Sequence, residues 1–94
     1  MAKGEITSAD DGTNLTAVTN KGGGNFVLSV GGGTTIAAQV EKYTNDSWVS
    51  TGSDGTISDT FYKVIEAAPG DQFRIAVTTA TGTWDYEFKE QLLK

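Results

Sequence analysis

The chain has no cysteine and no histidine among its 94 residues. Disulfides are therefore excluded, and so are the thiolate and imidazole ligands that hold structural zinc. The same absences remove nucleophilic catalysis of the Ser-His-Asp or Cys-His kind, which needs a base titrating near neutral pH. Cations are scarce. Seven Lys and Arg stand against twelve Asp and Glu, giving a formal charge of −5 and a pI near 4.4. A phosphate backbone would be repelled by such a surface, so nucleic acid is not an expected partner. Long apolar runs are missing too: Ile36-Ala37-Ala38 is typical, and crossing a bilayer takes roughly 20 apolar residues. No apolar signal-peptide core opens the chain, so the expectation is a protein with no membrane partner, made in a cytoplasm and used as translated.

What remains is enough for one hydrophobic core. A domain of this size buries only about 60 to 65% of the surface its unfolded chain exposes, so its stability is modest unless supplemented. With disulfides and zinc removed, oligomerisation or docking onto a larger assembly is the remaining common supplement.

Residues 1–24 are rich in Thr, Gly, Asp and Asn, with Ile6, Leu15 and Val18 as isolated apolar positions. They read as an extended N-terminal arm with one short strand near Leu15 to Val18, and these three residues are its candidate partner contacts. From Asn25 the apolar period becomes two, the signature of strands with one face buried. Phe26, Leu28 and Val30 alternate in the first strand, and Ile36, Ala38 and Val40 in the second. A turn at Thr44-Asn45-Asp46-Ser47 leads to a short strand at Trp48-Val49-Ser50, and Gly52-Ser53-Asp54-Gly55 makes the next turn. Phe61 to Ala67 is β-rich and ends at Pro69-Gly70, and Pro69 is the one proline. Phe73, Ile75 and Val77 alternate next, then Trp84, Tyr86 and Phe88 against Asp85, Glu87 and Lys89. Only the tail from Glu87 to Lys94 could read as a helical turn.

Seven or so short strands separated by Gly, Asn and Asp turns predict an all-β fold. The expected architecture is a small antiparallel β-sandwich over 25–94, either Ig/fibronectin-like or a jelly-roll-like Greek key. The expected core is Phe26, Leu28, Val40, Trp48, Ile65, Phe73, Ile75, Val77, Trp84 and Phe88.

No residue set points to catalysis. The acidic residues could supply a carboxylate pair of the glycosidase kind, but Glu41, Asp85 and Glu87 fall on polar strand faces and Asp46, Asp54, Asp59 and Asp71 in turns. Asp10-Asp11-Gly12-Thr13-Asn14 has the Asp/Asn/Gly density of a calcium loop without the spacing or closing Glu of an EF-hand. Gly22-Gly23-Gly24 and Gly31-Gly32-Gly33 lack the GK[ST] of a phosphate loop and read as loops flanking the Phe26 strand. Tyr43, Trp48, Tyr62 and Trp84 are the candidates for a sugar-stacking platform, although two of them fall on the expected core face. No cofactor, metal ligand or catalytic residue is assigned.

One arrangement is more distinctive than any single motif. It runs from Asn25 to Val30, through Val40-Glu41-Lys42 and an Asn-Asp turn to Trp48-Val49, then through Glu66-Ala67-Ala68-Pro69-Gly70 to Phe73-Arg74-Ile75-Ala76-Val77. This pattern, over residues 25 to about 89, resembles the small β-sandwich head decoration or cement proteins of tailed bacteriophages. The chain departs from that pattern at Ala37-Ala38, where bulkier β-branched residues are the rule, and in its short turn before Trp48. The resemblance implies a non-enzymatic virion protein on the capsid exterior, a homotrimer that binds the major capsid protein and bridges shell subunits. The alternative is an Ig or fibronectin-like recognition module, for carbohydrate or a cell-surface partner, as in a phage fibre.

Overall fold

The computed structural model describes residues 2–21 and 25–91. Gly22, Gly23 and Gly24, expected as a loop, lie outside the described residues, as do Leu92 and Leu93 of the tail. The described residues form nine strands: β1 (Ala2–Ile6), β2 (Val18–Thr19), β3 (Asn25–Gly31), β4 (Thr35–Thr44), β5 (Ser47–Ser50), β6 (Thr56–Ile57), β7 (Phe61–Ile65), β8 (Gln72–Thr81) and β9 (Trp84–Gln91). All pairings are antiparallel, in two sheets. Sheet A has the order β1-β9-β3-β7, and sheet B the order β2-β8-β4-β5 with β6 also on β4.

This order has a simple origin. Asn45 and Asp46 both take left-handed φ angles, 52° and 64°, as a two-residue type I′ hairpin requires. Thr44 and Ser47 face each other across that turn. Moving outward from this tip, β4 pairs with β5 and β6, β3 with β7, β2 with β8, and β1 with β9. The chain is thus one long hairpin whose successive rungs fall alternately in sheets B and A. Folding that hairpin over adds the β3·β9 and β4·β8 pairings and yields a jelly roll. Of the two sandwich topologies expected, the strand order selects this one.

The inward faces follow the period-two pattern. Phe26, Leu28 and Val30 of β3 meet Ile36, Ala38 and Val40 of β4 and Phe73, Ile75 and Val77 of β8, all buried. Phe26 packs edge-on against Phe73 and Phe88, with ring centroids 5.7 Å apart in each case, a geometry worth roughly 0.5–1.5 kcal/mol per pair beyond burial. Trp84 is buried, and its indole Nε1 donates to the carbonyls of Thr35 (2.9 Å) and Thr81 (3.1 Å). In β8 the alternation breaks, because two steps from Val77 to Thr79 face a single step from Ala38 to Ala37. This β-bulge leaves Thr78 exposed and turns Ala80 into the core.

Four expectations need correcting. Residues 2–21 are not a separate arm. β1 is an edge strand of sheet A, Ile6 and Val18 are buried in the common core, and Leu15 packs against it. The segment before β2 also runs along β8, with Leu15 N–H donating to the Ile75 carbonyl (2.9 Å) and Val77 N–H to the Thr13 carbonyl (2.8 Å). Ile6, Leu15 and Val18 are therefore occupied within their own chain, because the free edges of β8 and β9 take up the extended segment. Trp48 is not core: the tight hairpin sets it opposite Tyr43, on the outward side of β4. Ile65 is only partly buried. Residues 87–91, part of the tail that could read as a helical turn, continue strand β9.

Candidate functional site

With the strand phases fixed, the outward residues of each sheet follow. On sheet B, Glu41 and Tyr43 of β4 point away from the core, with Trp48 of β5 and Arg74 of β8 beside them. Arg74 Nε donates to Glu41 Oε1 at 2.8 Å, and its guanidinium lies over the Trp48 ring, 4.4 Å from the centroid. Tyr43 meets Trp48 edge-on at 5.3 Å. The guanidinium covers one face of the indole, so Trp48 and Tyr43 make a braced aromatic cluster and not a flat stacking surface.

On sheet A, β7 is an edge strand. Phe61 points inward and Tyr62 and Val64 outward, where Val27 of β3 lies directly beside Val64. Lys63 has the inward phase, at the sandwich margin, where its Nζ lies 3.7 Å from Asp54 of the β5–β6 connection. That contact and a crevice of about 250 Å³ between Val64 and Thr51 place β7 alongside the β5–β6 segment. The exposed large apolar residues of the described chain are Tyr62 (72%), Val64 (50%), Val49 (42%) and Tyr43 (40%). Tyr62 and Val64 stand together on the outward face of β7 in sheet A, whereas Val49 and Tyr43 belong to the β4–β5 hairpin of sheet B. An inward-phased lysine on an edge strand discourages open-ended strand pairing, so β7 offers side chains more than backbone.

The other half of sheet A's outer face is charged. Glu5 of β1 sits directly opposite Asp85 of β9, and Lys3 opposite Glu87. Two adjoining hollows of about 450 and 460 Å³ meet at Ser29 and Asp85. Together they run across the strands from Lys3 and Glu5 to Tyr62, over a floor that includes Gly31.

The chain matches no protein-family model, no curated protein and no solved structure. The four aromatics considered for a sugar platform do not converge: Trp84 is core, Tyr43 and Trp48 are on sheet B, and Tyr62 is on the opposite sheet. Both carboxylates of the loop considered for calcium are engaged in backbone hydrogen bonds, and so are two of the turn carboxylates. Asp10 Oδ2 accepts from Thr7 N–H (2.9 Å) in a capping box, while Asp11 Oδ1 accepts from Ala80 N–H (2.7 Å) and pins the N-terminal segment beside the bulge. Asp71 Oδ2 accepts from Ala68 N–H (2.8 Å) and Asp59 Oδ1 from Thr60 N–H (2.8 Å). Among the described residues no three acidic side chains are grouped closely enough to hold a metal ion.

Two residues escaped the sequence reading. Asn20 is buried, its backbone bonded to Gly70 and Asp71 and its Nδ2 donating to the Ala68 carbonyl at 3.2 Å. It clasps the Pro69-Gly70 turn to β2. Tyr86, half-buried on β9, has its hydroxyl pKa raised, chiefly by burial and then by the Asp10 carboxylate. Neither residue had a local signal, because each acts on a partner far away in sequence.

Proposed function

We propose that this protein is a virion structural module, a capsid decoration protein that holds to the outside of a phage head and bridges its shell subunits. The carrying observation is the adjoining pair of exposed apolar side chains Tyr62 and Val64 on the outward face of edge strand β7, with Val27 of β3 directly beside Val64. Scattered exposed hydrophobics are ordinary, whereas adjoining ones on an edge strand are the mark of a contact surface. Tyr and Trp are also the side chains that most often carry interface energy. The jelly-roll topology is compatible with this reading and does not argue for it, since the fold serves many functions.

The test is co-sedimentation with heads built from the major capsid protein, using the wild type and Tyr62→Ser/Val64→Ser. Both side chains are exposed, so the double variant should fold normally. The proposal expects it to lose head binding by a factor of roughly 10 or more, as loss of an interface anchor does. Undiminished binding by a folded double variant overturns the assignment of this surface. Light scattering supplies the second readout: decoration as a homotrimer expects about three times the monomer mass of 9.9 kDa. A carbohydrate-recognition module would instead stay monomeric, with Trp48 fluorescence quenched by glycans.

A further inference from the structure

We infer that the trough across the outer face of sheet A is a docking groove for an extended basic polypeptide segment, one presenting Lys or Arg. It shares Tyr62 with the apolar surface at its far end, but does not depend on the virion reading.

Three observations carry this. First, β1 and β9 set Glu5 and Asp85 directly opposite one another, with Glu87 next along β9. Like charges facing each other across a ladder destabilise a sheet; Lys3 stands opposite Glu87 in the same hollow but makes no ion pair with any of the three, so the lining carries three carboxylates against one lysine. An incoming cation relieves that repulsion, so charge complementarity specifies the sign of the partner. Second, the far wall is Tyr62, the most exposed large apolar residue described, and an open aromatic face also favours a cation, Arg above all. Third, the dimensions suit a chain. The hollows span β1 to β7, three inter-strand spacings or roughly 14 Å, the reach of about four extended residues. The floor is kept low by Ser29 and by Gly31, which has no side chain to obstruct it. The carboxylates are too dispersed to grip a single metal ion, but they are spaced along a path that two successive basic side chains of a peptide could follow.

The experiment measures binding of a fluorescein-labelled octapeptide of alternating Arg and Thr by anisotropy, against the same peptide with Glu in place of Arg. The variants are Glu5→Gln/Asp85→Asn, Tyr62→Ala, and Asp46→Asn/Glu66→Gln, which removes the same charge at positions that line neither hollow. Melting temperatures check that each is folded. The inference expects the Arg peptide alone to bind, with affinity falling roughly five- to tenfold in each of the first two variants and little in the third. Equal losses in both double variants would mean diffuse attraction to an acidic protein and would overturn it. So would binding of a neutral hexasaccharide that depends on Tyr62 and not on the carboxylates.

Discussion

Gly33→Ala tests the packing of the molecule at a single carbon atom. Gly31, Gly32 and Gly33 form one run in the sequence, but the fold uses them differently. Gly32 adopts φ +99°, which only glycine accepts readily. Gly33 has no such φ. There a Cβ would overlap the Trp84 indole at Cδ1, Nε1 and Cε2. Trp84 cannot step aside cheaply, being buried and tied by Nε1 to Thr35 and Thr81. Overpacking costs about 1–3 kcal/mol, and displacing the indole N–H from its acceptors adds about 1. The sum, about 2–4 kcal/mol, is a large part of the stability of a domain this small, and corresponds to a fall in Tm of roughly 10–30 °C. The matched control is Gly31→Ala, whose Cβ meets only Thr60 Cγ2 at an ordinary 3.7 Å. It should be neutral, or stabilising by up to about 1 kcal/mol through the unfolded chain. Thermal and urea unfolding followed by tryptophan emission read both. Equal effects of the two substitutions would refute the claim that the Trp84 ring occupies the space above Gly33.

Ile6→Ala should cost about 2–4 kcal/mol by urea unfolding, the range for emptying a buried aliphatic site. An N-terminal segment detached from the sandwich would give no change. Tyr86 supplies the pH dependence. Its folded pKa lies above the ordinary 10.0, so the folded state keeps the proton that the unfolded chain releases. Its contribution is therefore fully present below about pH 10 and is lost as pH climbs from there through the raised value. Tyr86→Phe should flatten that alkaline loss in melting temperatures taken between roughly pH 9 and 11, and an unchanged slope would exclude Tyr86 as its source.

The sequence carried its strands where side chains alternate over several positions. β3, β4, β8 and β9 each present a row of large apolar residues at spacing two, and each is a long strand of the sandwich. β1 carried no such row. In Ala2-Lys3-Gly4-Glu5-Ile6 the inward position between the ends is Gly4, and the space above it is filled from β9 by Tyr86, whose Cε1 would lie 3.3 Å from an added Cβ. An edge strand packed by its neighbour's ring has no periodicity of its own to read. Trp48 shows a different gap. Its size suggests core, but its facing is set by the Asn45-Asp46 turn, whose two left-handed residues allow only a tight hairpin and so fix the register. The charged half of the groove was half visible: Asp85 and Glu87 stood out as the polar face of the last strand. Glu5 lies 80 positions earlier, and only the closing β1·β9 rung brings it beside Asp85.

That rung also changes where contact with a partner can be made. A segment that completes sheet A with Ile6 sealed in the core cannot at the same time reach onto a neighbouring subunit, because releasing it would open the β9 edge and expose Ile6 and Tyr86 to water. Deleting residues 1–20 would therefore remove β1 and β2 together and unfold the domain, and the resulting loss of any binding would say nothing about an arm. Any contact with a partner has to be carried by what the folded hairpin leaves outside, and the topology leaves two unlike surfaces there. Tyr62 stands at the boundary between them, with Val64 on one side and the trough leading to Asp85 on the other. Substituting Val64 alone should weaken apolar docking and spare the basic peptide, whereas Glu5→Gln/Asp85→Asn should do the reverse. Two surfaces separable in this way could each hold a different neighbour, which is the arrangement a bridging module requires.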